Sequence, residues 1–183
     1  MTATTEYVIL VDEEDRVIQL AEKLTAHQQG LLHRAFSVFI FRRDPNTHET
    51  ELLLQQRALN KYHSPLLWTN TCCSHPRPGE TVIEAAHRRL TEELGFTATL
   101  KNLGWFRYQA HFPNNLCENE LDYVLTGYVD HTIRVYHNPK EIHAYRWITL
   151  SHLHKELAEQ PEQFTSWFAK ALMFTGEMSN SMC

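Results

Sequence analysis

The sequence lacks the features that would send a chain to a membrane, an oxidising compartment or a nucleic acid. It contains no run of 18 apolar residues, and a spanning helix needs about 20. Met1 to Asp15 has no basic stretch leading into an apolar one, so no secretory leader is expected and the chain reads as soluble and cytoplasmic. Cysteine is scarce. Cys72, Cys73, Cys117 and Cys183 form no Cys-x-x-Cys pair, and the two that are neighbours cannot close a bridge without strain. Reduced thiols are the expectation. Basic charge is also short, with 17 Lys and Arg against 22 Asp and Glu for a net charge of -5. That balance gives no general attraction for nucleic acid or for an anionic lipid surface. An anionic ligand would have to meet a local cluster of cations.

What remains is a chain of 183 residues, 43% of them apolar, enough for one substantial core and one domain. No repeat or low-complexity tract is visible, and nothing distinguishes monomer from homodimer. Histidine is abundant, at 12 residues, which brings metal or proton chemistry into view. His131, His137, His143, His152 and His154 lie in a polar C-terminal half and read as solvated surface.

Patterning gives a mixed α/β or α+β domain. Tyr7 to Val11 and Val17 to Leu20 are short apolar runs around an acidic stretch, an opening hairpin. Ala35 to Phe41 and Leu52 to Leu54 read as strands, as do Trp105 to Ala110, Leu121 to Val129 and Tyr145 to Ile148. Lys61 to Pro78 shows no period and carries Pro65, Pro76 and Pro78; it reads as one long loop, and such loops are often functional. The spacing predicts a helix from Thr81, with Glu84 as capping-box partner, to Gly95 as its end. Phe164 to Phe174 has helical apolar spacing.

On the Thr81 helix, Val82, Ile83, Ala86, Leu90 and Leu94 share one arc, and Glu93 falls among them. A carboxylate there, in the last turn where the helix dipole disfavours negative charge, needs a cation. Arg89, one turn earlier, or a metal ion would supply it. The stretch Ser74-x5-Glu80-x7-Arg88-Arg89-Leu90-Thr91-Glu92-Glu93-Leu94-Gly95 resembles the Nudix box, in which helix carboxylates gather a divalent metal around a diphosphate. Two departures matter. Ser74 stands where the box has Gly, and Arg89 stands where it has Glu. Losing a carboxylate and gaining a cation argues against hydrolysis while leaving diphosphate binding intact.

Just before the box, Trp68-Thr69-Asn70-Thr71-Cys72-Cys73-Ser74-His75-Pro76 resembles the Cys-x-His-Pro segment of type I isopentenyl diphosphate isomerases. Cys73 has the spacing to His75; Cys72 is its neighbour and the alternative. Glu118 and Glu120, two residues apart, put both carboxylates on one face of a strand, and a dication would relieve their repulsion. The resemblance implies a Nudix-like mixed β-sheet core sandwiched by helices, covering residues 31–165. Residues 1–30 would be an N-terminal hairpin extension completing the site, and 166–183 a closing helix and tail. It also implies a Mn2+ or Zn2+ site of His27, His33, His75, Glu118 and Glu120, and a diphosphate-bridging Mg2+ at Glu93 and the main-chain carbonyl of Cys73. Cys73 and Glu120 would be the proton donor and acceptor, with Tyr108 relaying or steadying the proton. Lys23, Arg57, Lys61 and Arg89 would meet the diphosphate, and Trp167 would wall the carbon chain. The implied partner is a small prenyl diphosphate, with no nucleic acid and no membrane.

Overall fold

In a computed structural model, residues 5–113 and 115–177 are described; the thiol expected at Cys183 lies outside them. Along the chain run β1 (Tyr7–Val11), β2 (Val17–Glu22), α1 (Lys23–Gln29), β3 (His33–Arg43), β4 (Thr50–Arg57), β5 (Trp68–Thr69) and β6 (Cys72–Ser74). After them come α2 (Val82–Leu94), β7 (Leu100–His111), β8 (Cys117–Tyr128), β9 (Ile142–Thr149), α3 (Leu150–Glu159) and α4 (Phe168–Phe174). Among the described residues no helix is long and apolar enough to cross a membrane.

β3 is the spine of one mixed sheet. One of its edges is paired along its length with β8 in parallel, from His33 opposite Glu120 to Phe41 opposite Tyr128. The other edge meets three antiparallel partners in succession: β1 at His33, β6 from Phe36 to Val38, and β4 from Phe41 to Arg43. β7 extends the sheet beyond β8, and β9 extends it beyond β4. Strand alternation divides the core. Phe36, Val38, Ile40, Leu53 and Leu125 pack with Ala85, Ala86, Leu90 and Leu94 of α2. Phe39, Phe41, Leu52, Leu54 and Val124 pack with Leu153 of α3 and with Phe168, Ala171 and Leu172 of α4. Each fully buried Leu or Phe contributes roughly 1.5–3 kcal/mol through area removed from water. The sheet is thus sandwiched between α2 and the α3–α4 pair.

α2 begins and ends where its sequence says. Thr81 Oγ1 accepts from the Glu84 amide at 3.2 Å, and Glu84 Oε2 accepts from the Thr81 amide at 2.8 Å. Gly95 closes it at φ 73°, where a Cβ would sit 3.0 Å from Tyr136 Cβ, so only glycine suits both the backbone and the space.

Three readings of the sequence need correction. The stretch from Lys61 to Pro78 is not all loop. β5 and β6 sit inside it, held by backbone pairing to β4 and β3, and elements of two and three residues leave no period to detect. The helix expected from Phe164 starts only at Phe168, because Phe164 bridges to Trp68 and the Thr165 amide donates to the Trp68 carbonyl at 2.9 Å. Of the five histidines read as surface, His131, His143 and His152 are exposed, whereas His137 packs on Tyr145 and His154 is half-buried.

Candidate active site

The sheet face that carries Phe39, Phe41 and Val124 becomes polar toward the His33 end of β3. Alternation along β8 puts Glu118, Glu120 and Asp122 on that face, all buried. On β6 it sends Cys73 to the same face and Cys72 to the opposite one, against the α2 cluster. These side chains border a cavity of about 820 Å³, whose wall includes Cys73, His75, Glu118, Glu120, Asp122 and Trp167. Lys23, Arg57, Lys61 and Arg89 line it as well.

Three imidazoles and one carboxylate converge beside the cavity. His27, His33, His75 and Glu120 each present a ligand atom, all within 4.8 Å of one another. α1 supplies His27, whose Nδ1 donates to the Lys23 carbonyl at 2.7 Å; His33 Nδ1 donates to the Leu31 carbonyl at 2.8 Å. A carbonyl can only accept, so both contacts fix the tautomer and leave Nε2 of each neutral ring as a lone pair. The Nε2 atoms of His33 and His75 lie 3.2 Å apart, and His75 Nε2 lies 3.0 Å from Glu120 Oε1. His27 Nε2 is buried with no hydrogen-bond partner among the described residues. Lone pairs brought this close, with one buried and without a hydrogen-bond partner among the described residues, form a donor set that fits a divalent ion.

Electrostatics agree. Burial pushes His75 down to about 3 and lowers His27, with His33 adding to the latter. Burial alone would raise Glu120, but the approach of the His33 and His75 rings, with Nε2 atoms 3.5 and 3.0 Å from its Oε1, outweighs it and holds that carboxyl well below the usual range. Glu118 and Asp122 are pushed well above theirs by burial and then by Glu120. Three carboxylates on one buried face cannot all stay charged without a cation.

Glu118 stands apart from the converging four. Its Oε1 lies 3.1 Å from His63 Nε2, and its Oε2 has no hydrogen-bond partner among the described residues. Tyr108 lies opposite Glu120 in the β7–β8 register but does not line the cavity; its hydroxyl is 2.6 Å from Ser166 Oγ and its ring meets Trp167 edge-on. Trp167 donates its indole N–H to Asn70 Oδ1 at 3.2 Å. Burial pushes the Cys73 thiol up to about 12.

Lys23, Lys61 and Arg89 are held by carboxylates and Arg57 by main-chain carbonyls. Lys23 Nζ is 2.8 Å from Glu6, and Lys61 Nζ is bonded to Glu141, whose same Oε2 lies 3.3 Å from Arg89 Nη2. Arg57 donates to the carbonyls of His63 and Ser64 at 3.1 and 3.2 Å, with its guanidinium 5.3 Å from the centre of the Trp167 ring. Glu93 is 3% exposed, not frayed into water. Arg89 reaches its Oε1 at 2.6 Å and Gln55 its Oε2 at 3.1 Å. Arg89 Nε also donates to Oε1, at 3.0 Å, so both lone pairs of that oxygen are engaged.

Sequence reasoning missed His63, Asp122, Glu6 and Glu141. Asp122 continues the alternation of Glu118 and Glu120 and was there to be read. His63 had only the general histidine richness as a signal. Glu6 and Glu141 had none, since chain topology alone brings them to the lysines.

Comparison with known proteins agrees with this architecture. A family model described as NUDIX domain matches residues 31–168. The isopentenyl-diphosphate Delta-isomerase of Serratia proteamaculans is 48% identical over 163 residues, spanning 89% of this chain and 87% of that one. That of Photobacterium profundum is 46% identical over 171 residues, 92% of this chain and 93% of its own. Among solved structures, a protein of Deinococcus radiodurans superposes with a TM-score of 0.67 at 19% identity, over 94% of this chain and 99% of that one. A MutT protein of Methanosarcina mazei gives 0.58 at 20% identity, over 82% and 96%. At such identities these two speak for the fold alone. The chain belongs to the Nudix family and, within it, to the isopentenyl-diphosphate Delta-isomerases.

Proposed function

We propose that this protein interconverts isopentenyl and dimethylallyl diphosphate, with a divalent ion at His27, His33, His75, Glu118 and Glu120 and Mg2+ at the substrate diphosphate. The carrying observation is that Cys73 and Glu120 open onto one cavity whose rim bears Lys23, Arg57, Lys61 and Arg89. Moving the double bond adds a proton to one carbon and removes one two bonds away, through a species with tertiary carbocation character. Such a reaction needs a proton donor and a proton acceptor on opposite sides of the carbon chain. Cys73 and Glu120 fill these roles: their surroundings drive the two pKa values apart, so in the metal-free protein the thiol holds its proton while the carboxyl has lost its own. Trp167 offers a π face to the cation, worth about 2 kcal/mol or more once desolvated. Tyr108 acts from behind Trp167, steadying the wall through Ser166.

When bound, the His/Glu ion supplies positive charge that offsets the three carboxylates and fixes Glu120. Mg2+ at Glu93 and the Cys73 carbonyl would neutralise the diphosphate, which displaces Glu6 and Glu141 from the lysines. The described part of residues 1–30 completes the site, since it brings Lys23 and His27 to it; 31–165 form the catalytic domain, and the described part of 166–183 closes it. Reduced cysteines favour a cytoplasmic location. In the test, the protein is incubated with isopentenyl diphosphate, Mg2+ and Mn2+ in deuterated water and followed by NMR. Deuterium-labelled dimethylallyl diphosphate with no released phosphate is expected. Phosphate release without isomer would assign the site to a hydrolase instead.

A further inference from the structure

We infer that His63 is a positioning residue for the metal site, holding Glu118 through its Nε2. This inference rests on the reading of His27, His33, His75, Glu118 and Glu120 as metal ligands. His63 is 6% exposed and lines the cavity. Its ring is fixed on three sides: stacked on Phe112 with centroids 4.6 Å apart, edge-on to Trp167 at 5.9 Å, and edge-on to Tyr62 at 4.8 Å. Its carbonyl accepts from Arg57, so its backbone is held as firmly as its ring. A side chain locked this way offers its nitrogens in fixed directions.

Those directions are used. Nδ1 lies 3.4 Å from the Ser64 hydroxyl, and Nε2 lies 3.1 Å from Glu118 Oε1. With Nδ1 accepting from Ser64, Nε2 carries the proton and donates to the carboxylate. One carboxylate oxygen is thereby engaged and the other, Oε2, is left buried with no hydrogen-bond partner among the described residues. Glu118 is the single proposed ligand outside the cluster whose atoms already converge, so its orientation depends on an outer partner. Such partners of metal ligands fix ligand geometry, and losing one typically costs 10–100-fold in metal affinity or activity.

The test is titration of the full-length, metal-free protein with Mn2+, following free ion by EPR. His63→Phe keeps the aromatic packing and removes the donor; His63→Gln restores an N–H. We expect Mn2+ affinity to fall about 10-fold or more in His63→Phe and to stay within about threefold of wild type in His63→Gln. In a Glu118→Gln background, His63→Phe should add no further loss, because the two act as one unit. Wild-type affinity in His63→Phe, or an equal loss with and without Glu118, would overturn the inference while leaving the isomerase reading standing. A wild-type protein that binds no Mn2+ would overturn both. If His63→Phe cannot be purified, histidine 15N NMR of the Zn2+-loaded wild type decides: an Nε2–H tautomer at His63 supports the inference, and an Nδ1–H tautomer overturns it.

Discussion

Cys72 and Cys73, one peptide apart on β6, face opposite sides of the sheet. Cys73 borders the cavity that holds Glu120, while Cys72 is fully buried in the cluster that contains Ala85 and Leu90 of α2. The pleat separates by function two thiols that chemistry alone would treat as equals. Cys73→Ala should therefore cut turnover by on the order of 10² or more with thermal stability nearly unchanged. Cys72→Ala should do the reverse, costing about 1 kcal/mol of stability through a small core void while most turnover survives. Steady-state rates and urea unfolding of both variants measure this; greater loss of turnover in Cys72→Ala would reverse the assignment.

Thiol reactivity tests the same site without mutation. The thiolate is the species that alkylates, and Cys73 is pushed up to about 12 by burial. At pH 8 that leaves roughly one such thiol in 10⁴ ionised, against a few tenths of a free cysteine population. Iodoacetamide should label Cys73 about 10³-fold more slowly than a model thiol, with a rate that keeps climbing above pH 9. Peptide mapping by mass spectrometry reads the rate at this position, and a plateau near pH 9 would count against a buried, neutral thiol.

Much of this was legible in the sequence where local chemistry decides. The capping box of Thr81 and Glu84, the stop at Gly95 and the pairing of Glu93 with Arg89 depend on residues one turn apart, and all three are found. The hairpin and the longer strands followed from short apolar, aromatic and β-branched runs. β5 and β6 did not, because strands of two or three residues exist only by virtue of their partners. His63 and Glu141 were equally invisible: one is defined by a stack on Phe112, far along the chain, and the other by the approach of the β9 entrance to Lys61.

Metal binding should depend on pH with a definite sign. Glu118 is raised by burial and then by Glu120, so it keeps a proton where a free glutamate has lost one, and a dication must displace it. His63 and His75, pushed down to about 3 by burial, instead contribute stability that is fully present above about pH 6.5 and lost as pH falls toward 3. Binding thus releases protons, and acid opposes it. At Mn2+ concentrations 100-fold above Kd, stabilisation of about 2.7 kcal/mol is expected, larger at pH 7.5 than at pH 5.5. Thermal unfolding with and without Mn2+ at both values tests this. An increment equal or larger at the acid value would mean that the ion meets no protonated ligand.

Among the described residues Arg89 and Glu93 form the most buried ion pair that involves no histidine, with side chains 15% and 4% exposed and 2.6 Å between Nη2 and Oε1. Burial works against the Arg89 charge, but Glu93, Cys72, Glu141 and Glu92 outweigh it and raise its pKa. Removing the cation alone strands a carboxylate in the core, supported by one amide from Gln55. Arg89→Met should therefore cost about 3–5 kcal/mol. Adding Glu93→Gln to that variant removes the stranded charge and keeps an amide partner for Gln55, so it should recover at least half of the loss. Denaturant unfolding of the wild type, both single variants and the double variant closes the cycle. A double variant that loses the sum of the two singles would mean that the pair does not stabilise the fold as a unit, and that Arg89 is held in place for the ligand by Glu92 and Glu141.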